Sequence, residues 1–238
     1  MISPMHQPKD TAVPPLRDGD WLTPDEFERR WDAMPNLKRA ELIDGRVFLR
    51  TKPVSWTWHA VPHGFVMLPI GLYSAYTPHV PSGIAPSVRM APRSMPQPDV
   101  VLRVEEECGG RSKIVDGFVV GSPEFIAEIT DDTSIHDLRE KKDLYERAGV
   151  REYFNWRVFD EQITLFSWNR GQYGVVEPST DGILKSRILP GLWFDPAAMV
   201  HDDSMRVMEV LNLGIASPEH QAFVQELKDR QAGAGGLP

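Results

Sequence analysis

The residues from 124 to 156 constrain the fold more than any other stretch, because they read as a strand, a helix and a second strand in succession. Residues 125–129 form a short apolar run between polar or Pro-containing flanks, which predicts a strand buried on both faces. Glu128 lies inside this run. A carboxylate in such a position costs several kcal/mol unless it is paired, protonated or bound to a cation. Glu128 therefore needs a partner.

The helix predicted over residues 135–148 places a lysine opposite this carboxylate. Ser134 is the expected N-cap, and Asp137 completes an S-x-x-D capping box. Gly149 ends the helix, and residues 150–158 return as a strand. This pattern has two equally good explanations. One is a structural ion pair between the helix and the sheet, and the other is a functional site. The helix face expected to meet the sheet consists of Leu138, Lys141, Tyr145 and Ala148.

Composition narrows the class of protein. With 238 residues, 41% of them hydrophobic and 25% charged, the chain is long enough for one globular domain with a well-buried core. The net charge of −8 argues against broad electrostatic adhesion to nucleic acid or to anionic membranes, so any DNA contact must be local. No apolar run approaches the roughly 20 residues that span a bilayer, and no membrane association is expected.

Cysteine usage indicates the compartment. The chain has one cysteine, Cys108, which excludes an internal disulfide and a Cys-x-x-Cys zinc site. A single thiol suits a reducing environment, so we expect a cytoplasmic protein.

The expected organisation is one α/β domain with short extensions. Residues 1–20 are Pro-rich and polar and are expected to be a flexible lead-in, whereas residues 21–198 form the domain. Residues 199–230 contain two amphipathic helices, and residues 231–238 are expected to be a disordered tail. Residues 105–121, with three consecutive glutamates and four glycines, are interpreted as a solvated surface excursion.

Three residues at strand or helix positions suggest a chemistry. Asp99 begins a strand predicted over residues 100–104, Glu128 lies within its strand, and Lys141 lies on the following helix. Two carboxylates and a lysine suit metal-assisted phosphodiester hydrolysis, because carboxylate oxygens hold Mg²⁺ and an ammonium group steadies a water or developing charge. The sequence contains no P-loop, G-x-S-x-G, H-E-x-x-H or G-x-G-x-x-G motif.

Several short motifs between residues 41 and 194 also carry a resemblance to a known family. These motifs are Glu41-Leu42-Ile43-Asp44-Gly45, His59 with Pro62-His63, Gln97-Pro98-Asp99, Ala127-Glu128, Asp137-Leu138 through Lys141, Tyr145 to Gly149-Val150, Arg151-Glu152-Tyr153 and Pro190-Gly191-Leu192-Trp193. In their order and spacing, they resemble the Uma2-type restriction endonuclease-like family, a branch of the PD-(D/E)XK nuclease superfamily.

The resemblance implies a restriction-endonuclease-like α/β core, a central mixed sheet flanked by helices, with Asp99 and Glu128 as ligands of Mg²⁺ or Mn²⁺. The chain departs from the superfamily's E-x-K motif, because Thr130 stands two residues after Glu128. Lys141 matches a lysine displaced onto the next helix, and Lys142 remains an alternative.

The resemblance also assigns further residues to the site. It implies that Glu41 is a further acidic or metal-contacting group and that His59 is a polar group near the phosphate. Without the resemblance, Asp99 is equally a turn residue before a strand, and Glu41 a solvated edge-strand carboxylate. His59 and His63 are otherwise partners within a Trp-rich loop.

Together these features predict a metal-dependent endonuclease acting on DNA. The alternative is a catalytically inert protein that keeps the nuclease fold as a binding or assembly module. For assembly, two alternatives are equally open: both C-terminal helices pack back on their own core, or the chain forms a two-fold homodimer. A homodimer would suit the cutting of both strands of a duplex, which requires two sites or two visits. It would cover the apolar faces of the two C-terminal helices, namely Val207, Met208, Val210, Leu211, Phe223, Val224 and Leu227.

Overall fold

The computed structural model describes residues 13–50, 53–130 and 135–234, with side chains from residue 139 onward in the last range. The predicted N-cap Ser134 and the side-chain positions predicted for Asp137 and Leu138 lie outside the described part. Its helices are α1 (Pro24–Asp32), α2 (Val61–Tyr76), α3 (Ile135–Ala148), α4 (Pro196–Val200), α5 (Ser204–Ile215) and α6 (Pro218–Ala234), with a π-helical turn at Trp56–Ala60. None of these helices is long and apolar enough to cross a membrane.

The described strands are β1 (Ala40–Ile43), β2 (Arg46–Leu49), β3 (Ser82–Ile84), β4 (Val88–Arg89), β5 (Val100–Leu102), β6 (Ser112–Val115), β7 (Phe118–Gly121), β8 (Phe125–Thr130), β9 (Glu152–Arg157), β10 (Gln162–Asn169), β11 (Gln172–Val175), β12 (Leu184–Lys185) and β13 (Trp193–Phe194). A six-stranded sheet in the order β11-β10-β9-β8-β5-β3 forms the centre of the molecule. β8 and β9 are parallel, and every other neighbouring pair in this sheet is antiparallel.

The predicted strand–helix–strand unit is the β8–α3–β9 crossover at the centre of this sheet. Parallel neighbours need such a connection, because the chain must return to the end at which the first strand began. The expected α/β class, a central mixed sheet flanked by helices, is confirmed.

The two faces of β8 meet different helices. Phe125 and Ala127 lie in the core that is shared with α2 and the C-terminal helices. Ile126 packs on the opposite face, in the cluster that contains Tyr145 of α3. Since side chains alternate along a strand, Glu128 projects toward α3.

Residues 105–121 are mostly exposed, in agreement with their interpretation as a solvated surface excursion, but they contain regular structure that the sequence did not predict. They contain a 3₁₀ turn at Glu106–Cys108 and the β6–β7 hairpin, and β7 pairs in parallel with β4. The hairpin turns at Asp116 and Gly117, with φ of 52° and 82°. A two-residue hairpin of this type needs positive φ at both positions, and Asp-Gly supplies it readily. That dipeptide was the signal available in the sequence.

Both ends of the described chain pack on the domain. Leu16, within the expected lead-in, is buried, and the N–H of Leu22 donates to the carbonyl of Gly45 at 2.8 Å. Helix α6 continues through residues 231–234 of the expected tail. The remainder of both segments, residues 1–12 and 235–238, lies outside the described residues.

The C-terminal helices cover their own apolar faces. Val207, Leu211 and Leu227 are buried in the core that they share with α2 and the central sheet. The premise that these faces need a partner is therefore wrong. A dimer stays a prediction, which now rests only on the need to cut two strands.

A second buried carboxylate, remote from the β8–α3 pair, predicts a pH-dependent stability. Burial raises the pKa of Glu152 from 4.5 to about 7, although Ser186 Oγ and the N–H of Arg187 donate to it at 2.5 and 2.7 Å. Between these two pKa values the folded chain holds a proton that the unfolded chain has released. Stability therefore falls as pH rises through this window, by about 3 kcal/mol.

We expect Glu152→Gln to remove this fall, because an amide does not titrate. The measurement is urea unfolding at pH 5 and pH 8 for the native chain, Glu152→Gln and the control Glu177→Gln, whose side chain is exposed. Identical pH dependence in all three proteins would contradict the assignment.

Candidate active site

Three carboxylates and a lysine from four elements meet on the α3 side of the central sheet. Glu128 projects from β8, and Lys141 approaches from α3. Asp99 directly precedes Val100, whose partner on β8 is Ala127, so Asp99 lies beside Glu128 across the antiparallel pair. The carboxylate of Glu41 comes from β1, and all four side chains are buried.

Lys141 bridges two of these carboxylates. Its Nζ lies 2.8 Å from Glu41 Oε1 and 2.9 Å from Glu128 Oε1. Tyr145, one turn further along α3, donates its hydroxyl to the same Glu128 oxygen at 2.6 Å. Lys142 points elsewhere, since its Nζ lies 5.1 Å from the centre of the Phe166 ring. Of the two lysines left open by the sequence, only Lys141 reaches the carboxylates.

Asp99 is held by groups from three other segments. Its Oδ1 accepts from Arg39 Nη2 at 3.0 Å and lies 3.8 Å from Nε2 of His59. Its Oδ2 accepts from the N–H of Ile129 at 2.9 Å. His63, on α2, lies with Nε2 3.4 Å from the Asp99 carbonyl oxygen. Asp99 lies in a bend directly before β5, but it is buried and held by several partners, and both histidines lie next to it.

Glu41 is equally enclosed, so its interpretation as a solvated edge carboxylate does not hold. Its Oε1 accepts from the N–H of Gln97 at 2.8 Å, and its Oε2 lies 3.4 Å from Nε of Arg50. The sequence had not singled out Arg39 or Arg50. The alternation of β1 was the available signal, because Arg39 precedes Glu41 by two residues and so lies on the same face.

Three buried carboxylates lie around one buried ammonium group, and the partly exposed Arg39 and Arg50 contact two of these carboxylates. Burial and the negative charges of Asp99 and Glu41 raise the pKa of Glu128 to about 7, although the positive charge of Lys141 acts to lower it. The pKa of Glu41 is lowered despite burial, because Lys141 and Arg50 favour its anion.

The other two ionisable groups of the cluster stay charged. The pKa of Asp99 is lowered despite burial, through Lys141 and the Ile129 N–H. That of Lys141 is raised despite burial, through Glu128 and Glu41. Glu128 is therefore the carboxylate that lacks a full counter-charge.

The chemistry of these donors fits a hard divalent cation. Adjacent carboxylates with one incompletely balanced charge suit Mg²⁺, which keeps several waters and binds through one or two carboxylates plus substrate phosphates. Among the described residues, no group of three or more His, Cys, Asp or Glu is arranged to hold a metal alone. Asp99 and Glu128 are the pair that such an ion would use.

A small cleft reaches two members of this cluster, Glu41 and Lys141, from the surface. Arg50 also lines it, and its side chain is 45% exposed while it contacts Glu41. The residues lining the cleft are Glu41, Ile43, Phe48, Arg50, Glu140 and Lys141.

Comparison with known proteins shows the family and the fold of the chain. The model of the Uma2 family, described as "Putative restriction endonuclease", matches residues 24–198. The fold is similar to a crystal structure described as "a putative nuclease belonging to DUF820 from Anabaena variabilis ATCC 29413", with a TM-score of 0.58 and 12% identity, over 76% of this chain and 98% of that chain. No curated protein matches.

Proposed function

The chain belongs to the Uma2 family of restriction endonuclease-like proteins, and from this premise we propose that it is an endonuclease that hydrolyses phosphodiester bonds of DNA with Mg²⁺ or Mn²⁺. The observation that carries the proposal is the position of Asp99, directly before β5, beside Glu128 on the adjacent strand β8, with Lys141 2.9 Å from Glu128. Buried carboxylates beside a lysine in a family of this kind suit phosphodiester hydrolysis better than any other chemistry the chain offers.

Each residue of the cluster has a proposed role. Asp99 and Glu128 would hold the cation, which when bound polarises a phosphoryl oxygen and lowers the pKa of a bound water. Lys141 would orient the attacking water and offset charge that develops on the phosphoryl group. Glu41 would position Lys141, which it contacts at 2.8 Å. His59 would lie near the phosphate, next to Asp99.

Two guanidinium groups extend this proposal to binding. Arg39 and Arg50 contact Asp99 and Glu41, and their side chains are partly exposed. Guanidinium groups bind phosphate oxygens through paired hydrogen bonds. They supply local positive charge at the site of a chain whose net charge is −8.

The proposal is tested by incubating the purified protein with plasmid and oligonucleotide DNA. We expect cleavage with Mg²⁺ or Mn²⁺ and none with EDTA, because the carboxylate pair lacks an electrophile without the cation. Calorimetry should detect Mn²⁺ binding to the native chain and a loss of at least about tenfold in affinity for Glu128→Gln. Cleavage that persists in EDTA, or equal Mn²⁺ affinity in both proteins, would contradict it.

A catalytically inert module that keeps the fold is the second candidate. One observation favours it: Glu128 Oε1 already accepts from both Lys141 and Tyr145, so the pair can be satisfied within the protein. In addition, Thr130 occupies the position of the superfamily's E-x-K lysine. Its side chain carries no charge, and its Oγ1 accepts a hydrogen bond from Asn155 Nδ2 at 3.1 Å. Failure of millimolar Mg²⁺ or Mn²⁺ to bind or to raise the unfolding temperature would favour this candidate.

A further inference from the structure

Three exposed aromatic side chains, two on a π-helical turn and one packed against that turn, are not used by the proposed chemistry. Trp56 and Trp58, on the π-helical turn, are 77% and 45% exposed, and Phe159 is 49% exposed. The rings of Trp58 and Phe159 lie 4.7 Å apart, at an angle of 36°. We call these three residues the aromatic platform. Clustered large apolar side chains in water mark a binding surface.

The aromatic platform adjoins the carboxylate cluster. His59 follows Trp58 on the same turn, and its Nε2 lies 3.8 Å from Asp99 Oδ1. Phe159 lies two residues beyond β9, the strand parallel to β8, which carries Glu128. The Trp58 and Phe159 rings therefore lie near the carboxyl ends of these two strands, on the side of the site where His59 contacts Asp99.

The chemistry of this surface favours nucleic acid over an apolar protein partner. Indole and phenyl rings stack on nucleobases, and such stacking tolerates every base because each has a π face. The guanidinium groups of Arg39 and Arg50 lie at the neighbouring carboxylates, where phosphates would be bound. Base-stacking rings beside phosphate-binding groups are the two elements that single-strand binding sites combine.

We propose that the aromatic platform stacks unpaired bases of a single-stranded DNA segment and leads its backbone to the carboxylate cluster. Bases within a duplex stack on one another, so their faces are not available to the rings, whereas unpaired bases offer them. That the bound DNA is then cleaved rests on the proposed function. The substrates would be strands with unpaired bases at or next to the cleaved bond.

The test is a binding measurement that does not require cleavage. A labelled oligo(dT) strand, an abasic strand of the same length and a blunt duplex are titrated in EDTA, and again in Ca²⁺, with the native chain, Trp56→Ala and Trp58→Ala. Trp21→Ala is the matched control, since Trp21 is 69% exposed but lies in the segment that pairs with β2. Thermal unfolding of each variant checks the fold.

We expect Trp56→Ala and Trp58→Ala each to weaken oligo(dT) binding by about tenfold or more and to leave binding of the abasic strand unchanged. Trp56→Phe should recover part of the loss, because a ring is restored, and Trp21→Ala should bind like the native chain. Unchanged oligo(dT) affinity in the alanine variants would overturn the proposal. So would an equal loss on the abasic strand, or a native chain that prefers the duplex or binds no strand.

The outcome is separable from that of the proposed function. If base-dependent binding is found but plasmid and oligonucleotide stay intact with Mg²⁺ and Mn²⁺, hydrolysis fails and the aromatic platform stands. If DNA is cleaved but the tryptophan variants bind and cleave like the native chain, the aromatic platform fails and the nuclease stands.

Discussion

Lys141→Met is expected to destabilise the fold by about 3–5 kcal/mol at neutral pH and to abolish cleavage, because it leaves buried carboxylates without their shared cation. In the native chain the ammonium group lies within 2.9 Å of both Glu41 and Glu128. Methionine matches the length of the lysine stem but offers no charge and no donor. Urea unfolding and plasmid cleavage measure the two effects.

The loss of stability should depend on pH in a defined direction. Without Lys141, the pKa of Glu128 in the folded chain rises further above its ordinary value of 4.5, and the pKa of Glu41 also rises, because burial and mutual repulsion remain while the ammonium group that favours both anions is gone. A raised folded pKa means that stability is retained at low pH and lost as pH rises. The variant should therefore approach the native chain at pH 5 and fall furthest behind it at pH 8.

Lys142→Met is the matched control for this variant. Its ammonium group lies over the rings of Phe166 and Tyr173 at 5.1 and 5.6 Å, so the change should cost about 0.5–1 kcal/mol, with cleavage kept. Equal losses of activity in the two variants would contradict the role proposed for Lys141.

Asp99→Asn is expected to lower the rate of cleavage by about a thousandfold or more while leaving a folded protein. The amide retains an oxygen that accepts from Arg39 or from the N–H of Ile129, the groups that Asp99 contacts at 3.0 and 2.9 Å. It removes one of the two charges proposed to hold the cation, and a loss of several kcal/mol in transition-state stabilisation corresponds to this factor.

Single-turnover cleavage and Mn²⁺ calorimetry measure this prediction, with Asp143→Asn as the control. Asp143 lies on α3, where its half-exposed carboxylate is 4.0 Å from Arg139. A nuclease that keeps its rate when Asp99 is changed, or that loses as much when Asp143 is changed, would require another site.

Much of the site was predictable where its pattern is local. The alternation of β8 and the helical spacing of α3 put Glu128 and Lys141 on facing surfaces, because both periods are fixed by backbone geometry. Asp99 was singled out by its place at the start of a predicted strand, whereas Glu41 was assigned to the site only through the resemblance to a family. Their approach to Glu128 depends on strand pairing between distant segments, which local spacing does not specify.

Other features could not be read from the chain. The choice of Lys141 over Lys142 was beyond the sequence, because neighbouring residues on a helix differ by about 100° and the packing angle decides which one meets the sheet. The β6–β7 hairpin was missed because its glutamate- and glycine-rich approach hid the Asp116-Gly117 turn. The sequence did not single out Arg39 and Arg50, which flank the β1–β2 hairpin. Only the folded chain shows that they contact Asp99 and Glu41.

The sequence by itself determined the β8–α3–β9 unit, the two C-terminal helices and the presence of a buried carboxylate in need of a cation. These follow from hydrophobic periodicity and turn chemistry, which act over a few residues. Only the tertiary structure decided that Glu41, Asp99, Glu128 and Lys141 share one site and that the aromatic platform adjoins it. Segments up to a hundred residues apart meet there, and their contacts are selected by packing of the whole core, which no local pattern encodes.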